Sequence, residues 1–154
     1  MWGVKMESDD SFFLKPGAMI ISREPKSIHT VLGSCVSVCV WDYMNGVGGM
    51  NHFIYHHAMS NARSCRYGDV AVPYLIKVLI DAGGKMNHFK AHIVGGSQSL
   101  IPESIVGDQN IRIAKELMSY YGIPIETTDV GGTNFRKVVF HNLDGEIIIK
   151  KGEI

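Results

Sequence analysis

Seven consecutive residues constrain this chain more than any others. From Cys35 to Trp41 it reads Cys-Val-Ser-Val-Cys-Val-Trp, with Val36, Val38 and Val40 at every second place. Branched side chains at that period are stiff at χ1 and fit a pleated strand better than a helix. Asn45-Gly46 follows shortly after. That dipeptide is the strongest two-residue hairpin signal, because a type I′ turn needs positive φ at both central positions. Val47 to Tyr55 therefore returns antiparallel, and Gly48-Gly49 inside it marks either a bulge or the close approach of another backbone.

The rest of the chain reads as a frame for that hairpin. Residues 1–11 are polar and lack periodicity, which predicts a flexible N-terminal segment, with residues 12–154 forming a single domain. Lys15-Pro16-Gly17 is a turn, Ala18–Ser22 a short strand, and Arg23-Glu24-Pro25-Lys26 a polar loop. Asp69 is placed to cap a helix running to about Ala82, with Val72, Leu75, Ile76, Leu79 and Ile80 inward and Gly83-Gly84 as its stop. Ala91–Val94 is a strand ending at Gly95-Gly96. Asp108 caps a second helix to about Tyr121, with Ile113, Ala114, Leu117, Met118 and Tyr121 inward. Pro124–Val130 is a strand, and Lys137–His141 with Glu146–Lys151 forms a closing hairpin around Asp144-Gly145. Strands in hairpins outnumber the two main helices, so the fold class is α+β with a mixed, largely antiparallel sheet.

Composition narrows the partners. At 154 residues the chain supports one domain with a proper core. Its 15 basic and 15 acidic residues cancel, which argues against nucleic acid or an anionic membrane as the main partner. No run approaches the roughly 18 apolar residues of a membrane span, and the N-terminus lacks the layout of a signal peptide, so the expected location is cytoplasmic, without membrane insertion. Three cysteines, Cys35, Cys39 and Cys65, are an odd number, so a disulfide framework is not expected and at least one thiol is free.

Composition alone favours reading Cys35 as core filler, since free cysteine is among the most buried residue types. Its position argues otherwise. Gly33-Ser34 delivers it to a loop-to-strand junction, where backbone N–H groups can point at a substrate oxygen, and a nearby imidazole would make its thiol a nucleophile. Cys39 lies about 13 Å further along a strand, too far to share a metal ion or a disulfide with Cys35. Cys65 has no ligand-type partner at a useful spacing. His52 and His56 would pair on zinc only on a helix; on a strand they too are about 13 Å apart, so no metal site is expected. A strict two-residue turn puts Cys35 opposite His56 and Cys39 opposite His52, whereas a longer loop or a bulge shifts that register. The residues alone leave His52 and His56 level as the base. Thr30 and Ser34 bear hydroxyls near the nucleophile that either cap turns or orient an imidazole. Asp129 and Arg136 suit a structural ion pair or a substrate contact, and the weight is on structure.

Thr30-Val-Leu-Gly-Ser-Cys-Val36, followed by Gly48-Gly-Met-Asn-His-Phe53, resembles the chemoreceptor glutamine deamidase family, CheD. Further landmarks carry the likeness: Lys15-Pro16-Gly17, Arg66-Tyr67-Gly68-Asp69, Val94-Gly95-Gly96, Gln109-Asn110, and Asp129-Val130-Gly131-Gly132 with Arg136. Ile54-Tyr55-His56-His57 departs from it, where similar proteins have an apolar pair and a proline. The resemblance implies a cysteine-hydrolase fold of the toxin-deamidase type, with no cofactor and no metal. It implies Cys35 as nucleophile, His52 as base and Thr30 as the third catalytic residue, with N–H groups around Gly33 and Ser34 as the oxyanion site. The implied reaction converts glutamines of methyl-accepting chemoreceptor cytoplasmic domains to glutamate through a thioester. It also implies a CheC-type phosphatase as a partner, and hence an alternative in which the protein is mainly a regulatory binding module.

Overall fold

The structure is a computed structural model describing residues 10–59, 63–98, 101 and 103–153. Most of the segment expected to be flexible lies outside the described residues, and the first strand, β1 (Ser11–Phe13), pairs in parallel with β3 (Ser27–Leu32). Between them lies β2 (Met19–Ser22). The hairpin is β4 (Val36–Asp42) and β5 (Val47–Asn51). After it come α1 (Gly68–Asp81), β6 (Lys90–Gly95), α2 (Val106–Tyr121), β7 (Ile125–Val130), β8 (Phe135–His141) and β9 (Ile147–Gly152).

The strands form two mixed sheets, one of five strands in the order β2-β5-β4-β6-β7 and one of four in the order β1-β3-β8-β9. This is the expected α+β class. One parallel crossover, β6-α2-β7, sits within a sheet that is otherwise antiparallel.

Alternation along β4 explains the layering. Val36, Val38 and Val40 enter a core shared with Ala71, Leu75 and Leu79 of α1 and Ala114 and Met118 of α2. Cys39 and Trp41, on the other face, meet Leu14, which follows β1, and Ile28, Leu32, Val138 and Phe140 of the second sheet. The five-stranded sheet is thus sandwiched between helices and the four-stranded sheet, and every residue of β4 is buried.

Several local expectations are corrected. The hairpin loop is longer than two residues: Asp42 pairs with Val47, so Cys39 faces Met50 rather than His52. Asp42 causes this by accepting hydrogen bonds from the Asn45 N–H (3.0 Å) and side-chain amide (2.7 Å), while its carbonyl accepts from Gly46 N–H (3.0 Å). Gly48 and Gly49 form no bulge; a Cβ on Gly48 would lie 1.8 Å from the Asn142 carbonyl oxygen, and one on Gly49 2.5 Å from that of Ile20. Close backbone approach is therefore what these two glycines serve. The helices start slightly earlier than expected, after Tyr67 and Ile105, and neither has a side-chain cap. Asp69 instead bonds the Ala58 N–H (2.9 Å) and the His57 Nδ1 (2.7 Å). Ile80 is exposed, and Ala71 takes its place on the buried face. Strand β3 had no counterpart in the sequence reading.

Candidate active site

The thiol and the imidazole lie at the adjoining ends of β4 and β5 in one sheet, and the hydroxyl comes from β3 in the sheet that faces them. Cys35 ends the β3-β4 turn. Its three-residue approach is held from behind: the carbonyls of Gly33, Ser34 and Cys35 accept, in order, Ser97 N–H (2.9 Å), the Asn110 side-chain amide (3.0 Å) and Gly96 N–H (2.8 Å). With three successive carbonyls tied down, the N–H groups of Ser34 and Cys35 find no acceptor in another described residue; that of Cys35 faces its own sulfur. This leaves donors available beside the Cys35 thiol, the geometry an oxyanion site requires. Gly95 makes the approach possible. Its φ is +114°, and a Cβ there would come 2.3 Å from the Cys35 carbonyl oxygen.

The hairpin register resumes beyond β5 at a Val36–Phe53 bridge. Ser37 therefore lies across from His52, and Cys35 is His52's diagonal neighbour on the same face. Such diagonals span about 7–8 Å between backbone positions, within reach of an aromatic side chain. His56 sits past the bridge, where its carbonyl accepts from Asp69 N–H at the start of α1 (3.0 Å). His52 is 2% exposed and held by its backbone: its N–H donates to Ala18 and its carbonyl accepts from Gly17 N–H (2.8 Å). The Lys15-Pro16-Gly17 turn is thus part of the site's wall.

Thr30 reaches His52 from the opposite sheet. The Thr30 Oγ1 to His52 Nδ1 distance is 2.7 Å, and the same hydroxyl donates to the Leu14 carbonyl at 2.9 Å. A hydroxyl has one proton, and a carbonyl can only accept. The Thr30 proton therefore goes to Leu14, His52 Nδ1–H donates to Thr30, and the bare lone pair is on Nε2. Burial pushes the His52 pKa down to about 4 and the Cys35 thiol up, the latter partly offset by its own N–H. At neutral pH the resting pair is a thiol and a neutral imidazole.

The remaining sequence candidates fall outside this group. Cys39 is fully buried below it, and Cys65 lines a separate cavity with Pro73 and Tyr74. Asp129 and the buried Arg136 form a 3.2 Å ion pair, and Arg136 also donates to the Gly131 and Asn134 carbonyls. That is a structural pair. Two residues escaped the sequence reading as parts of the site. Asn110 ties Ser34 to Ile54 through one amide group (3.0 and 2.8 Å). The Ser37 hydroxyl is buried beside His52 without a partner among the described residues. Asn110 was visible as a polar residue early in an amphipathic helix; nothing distinguished Ser37 before the register was known.

Fold and site together define an α+β domain that gathers a cysteine, a histidine and a threonine between two sheets. Residues 55–151 match the CheD family, described as CheD chemotactic sensory transduction. The chain is 37% identical over 142 residues to a probable chemoreceptor glutamine deamidase CheD 1 of Anaeromyxobacter dehalogenans, covering 90% of this chain and 83% of that one. It is 34% identical over 146 residues to a probable chemoreceptor glutamine deamidase CheD of Trichlorobacter lovleyi, covering 92% and 91%. A third relative so named, from Rhodospirillum rubrum, is 35% identical over 142 residues, covering 90% and 80%. Coverage this high leaves too few residues outside the alignments to omit Thr30 to His52. The chain belongs to the CheD family.

Proposed function

We propose that this protein is a protein-glutamine deamidase acting on the cytoplasmic domains of methyl-accepting chemoreceptors, with Cys35 as nucleophile, His52 as base and Thr30 orienting the base. The observation that carries this reading is the Leu14–Thr30–His52 chain of hydrogen bonds, which commits the His52 proton to Nδ1 and leaves Nε2 free for the thiol. The relatives' names supply the substrate class.

The steps follow from the neutral resting pair. His52 Nε2 takes the thiol proton as Cys35 Sγ bonds to the carboxamide carbon, and the N–H groups of Ser34 and Cys35 hold the developing oxyanion. Imidazolium then gives that proton to the departing nitrogen, releasing ammonia and leaving a thioester. Water attacks the thioester as His52 takes its proton; the acid is released as glutamate, and the proton returns to the sulfur. The Nδ1–H bond to Thr30 is kept throughout, so the ring need not turn between steps. A CheC-type phosphatase is the second partner under this reading, and the cytoplasm its location.

The test is mass spectrometry of a chemoreceptor cytoplasmic fragment incubated with wild type and with Cys35→Ala, His52→Ala and His56→Ala. Conversion of glutamine to glutamate that needs Cys35 and His52 but survives His56→Ala is the expected result. An essential His56 overturns the choice of base. No conversion by reduced wild type overturns the deamidase reading and favours a binding module, which predicts receptor or phosphatase binding that persists in Cys35→Ala.

A further inference from the structure

Both helices pack against strands of the five-stranded sheet, while the outward side chains of the four-stranded sheet meet solvent. Strand register arranges that outer face in two rows. One runs Phe13–His29–Val139–Ile148 across all four strands, and the next runs Val31–Lys137–Lys150. Phe13, Val31 and Ile148 are 58%, 46% and 52% exposed, and the two rows line a shallow depression of about 400 Å³.

The lysines are the informative part. Lys137 and Lys150 stand directly opposite each other on neighbouring strands, an arrangement that is destabilising for like charges. Neither has an ion pair among the described residues, a state they share with Lys15, Lys26, Lys85 and Lys115, but only these two are set opposite each other by strand register. A row that is apolar but for His29, bordered on one side by two unmatched, mutually repelling cations, is complementary to an apolar stripe edged with carboxylates.

The form of the occupant follows from the backbone. On a sheet's face the strand N–H and carbonyl groups are already used, so whatever covers it must satisfy its own backbone hydrogen bonds. The apolar row spans four strands, about 14 Å, which matches two to three turns of helix at about 5.4 Å per turn. Within this chain, the outward side of α1 pairs Lys77 with Asp81 and that of α2 mixes Asp108 and Glu116 with Arg112 and Lys115, so neither main helix of a second copy offers an acidic stripe. Two lysines worth about 1 kcal/mol each on an anionic bilayer, in a chain of zero net charge, are a poor membrane anchor. We infer that this face docks an amphipathic helix of another protein, its apolar stripe flanked by carboxylates. Neither lysine belongs to the Thr30–His52–Cys35 group, so the inference does not rest on the proposed activity.

The experiment is a titration of the ¹⁵N-labelled full chain, followed by amide shifts, with a synthetic helical peptide of about 18 residues. The peptide carries a leucine stripe flanked by glutamates, and a control peptide carries lysines instead. Saturable shifts confined to β1, β3, β8 and β9 with the acidic peptide are expected. Lys137→Glu/Lys150→Glu, at exposed positions, should weaken that binding at least tenfold and reverse the preference to the lysine peptide. Equal binding of the two peptides, shifts on other faces, absence of saturation, or stronger binding to phosphatidylserine vesicles than to the acidic peptide would each overturn the inference. A chain that docks the peptide but deaminates no receptor would retain the inference while losing the proposed activity.

Discussion

The two cores on either side of the five-stranded sheet are built to different rules. On the helix side, Val36, Val38, Val40, Leu75, Leu79 and Phe89 fill the space with aliphatic and aromatic groups. Between the sheets, Thr30, Ser37, His52 and His92 are buried among Leu14, Ile28, Val94 and Phe140. The first arrangement gains mainly transfer free energy, its buried polar side chains being the amides of Asn51 and Asn110 rather than titratable groups. The second buries two histidines and two hydroxyls: Thr30 and His52 bond each other, while the Ser37 hydroxyl and His92 Nδ1 have no partner among the described residues, as Asn51 Nδ2 and Asn110 Oδ1 have none on the helix side. One layer is mainly hydrocarbon, and the other holds the titratable groups to which the proposed chemistry is assigned.

The sharpest separation is expected from Cys35→Ala. It should abolish deamidation, a loss beyond about 10³-fold since the covalent step disappears, with little change in the urea midpoint because the thiol is only half-buried. Leu75→Ala, on the helix side, should do the converse. Chemical denaturation should show a loss of about 2–5 kcal/mol for this fully buried leucine, with activity per folded molecule kept. Comparable loss of activity in both variants would mean that the layers are not separate.

Smaller effects refine the comparison. Thr30→Val keeps the shape and removes the hydroxyl, leaving His52 Nδ1–H and the Leu14 carbonyl unpaired. The rate should fall by about 10–100-fold, with Thr30→Ser recovering most of it, as read from kcat rather than KM. The pH dependence of stability comes last. The His52 pKa of about 4 in the folded chain lies below its unfolded value, so the unfolded chain binds the extra proton first. Stability is therefore complete above about pH 6.5 and declines as pH falls towards 4. Denaturation at pH 5 against pH 7.5 should show a loss of about 2 kcal/mol that His52→Gln removes. His92, also held below its usual value by burial, supplies a background slope common to both proteins.

Much of this organisation was legible in the residues themselves. The valine alternation of β4, the Gly83-Gly84 and Gly122 helix stops, and the closing hairpin are local signals that act within a few residues, and each appears where the sequence places it. The failures were also local in origin. Asp69 and Asp108 look like caps, but Asp69 found better partners in His57 and Ala58. Asn45-Gly46 looks like a two-residue turn, but Asp42 lengthened the loop. That shift of register placed Cys39 against Met50 and left His52 diagonal to Cys35.

The sequence by itself determined the α+β class, the two main helices, the β4-β5 and closing hairpins and a cysteine at a loop-to-strand junction, because side-chain period and turn chemistry are written in neighbouring residues. Only the tertiary structure decided how the nine strands of the described residues divide into two sheets, and therefore that Thr30 on β3 meets His52 across the gap between them. It also decided that Asn110, from a distant helix, pins the turn before Cys35. The physical reason is that pairing between strands and packing between sheets join residues far apart in the chain. The free energy of such contacts depends on register, and no short window of sequence contains it.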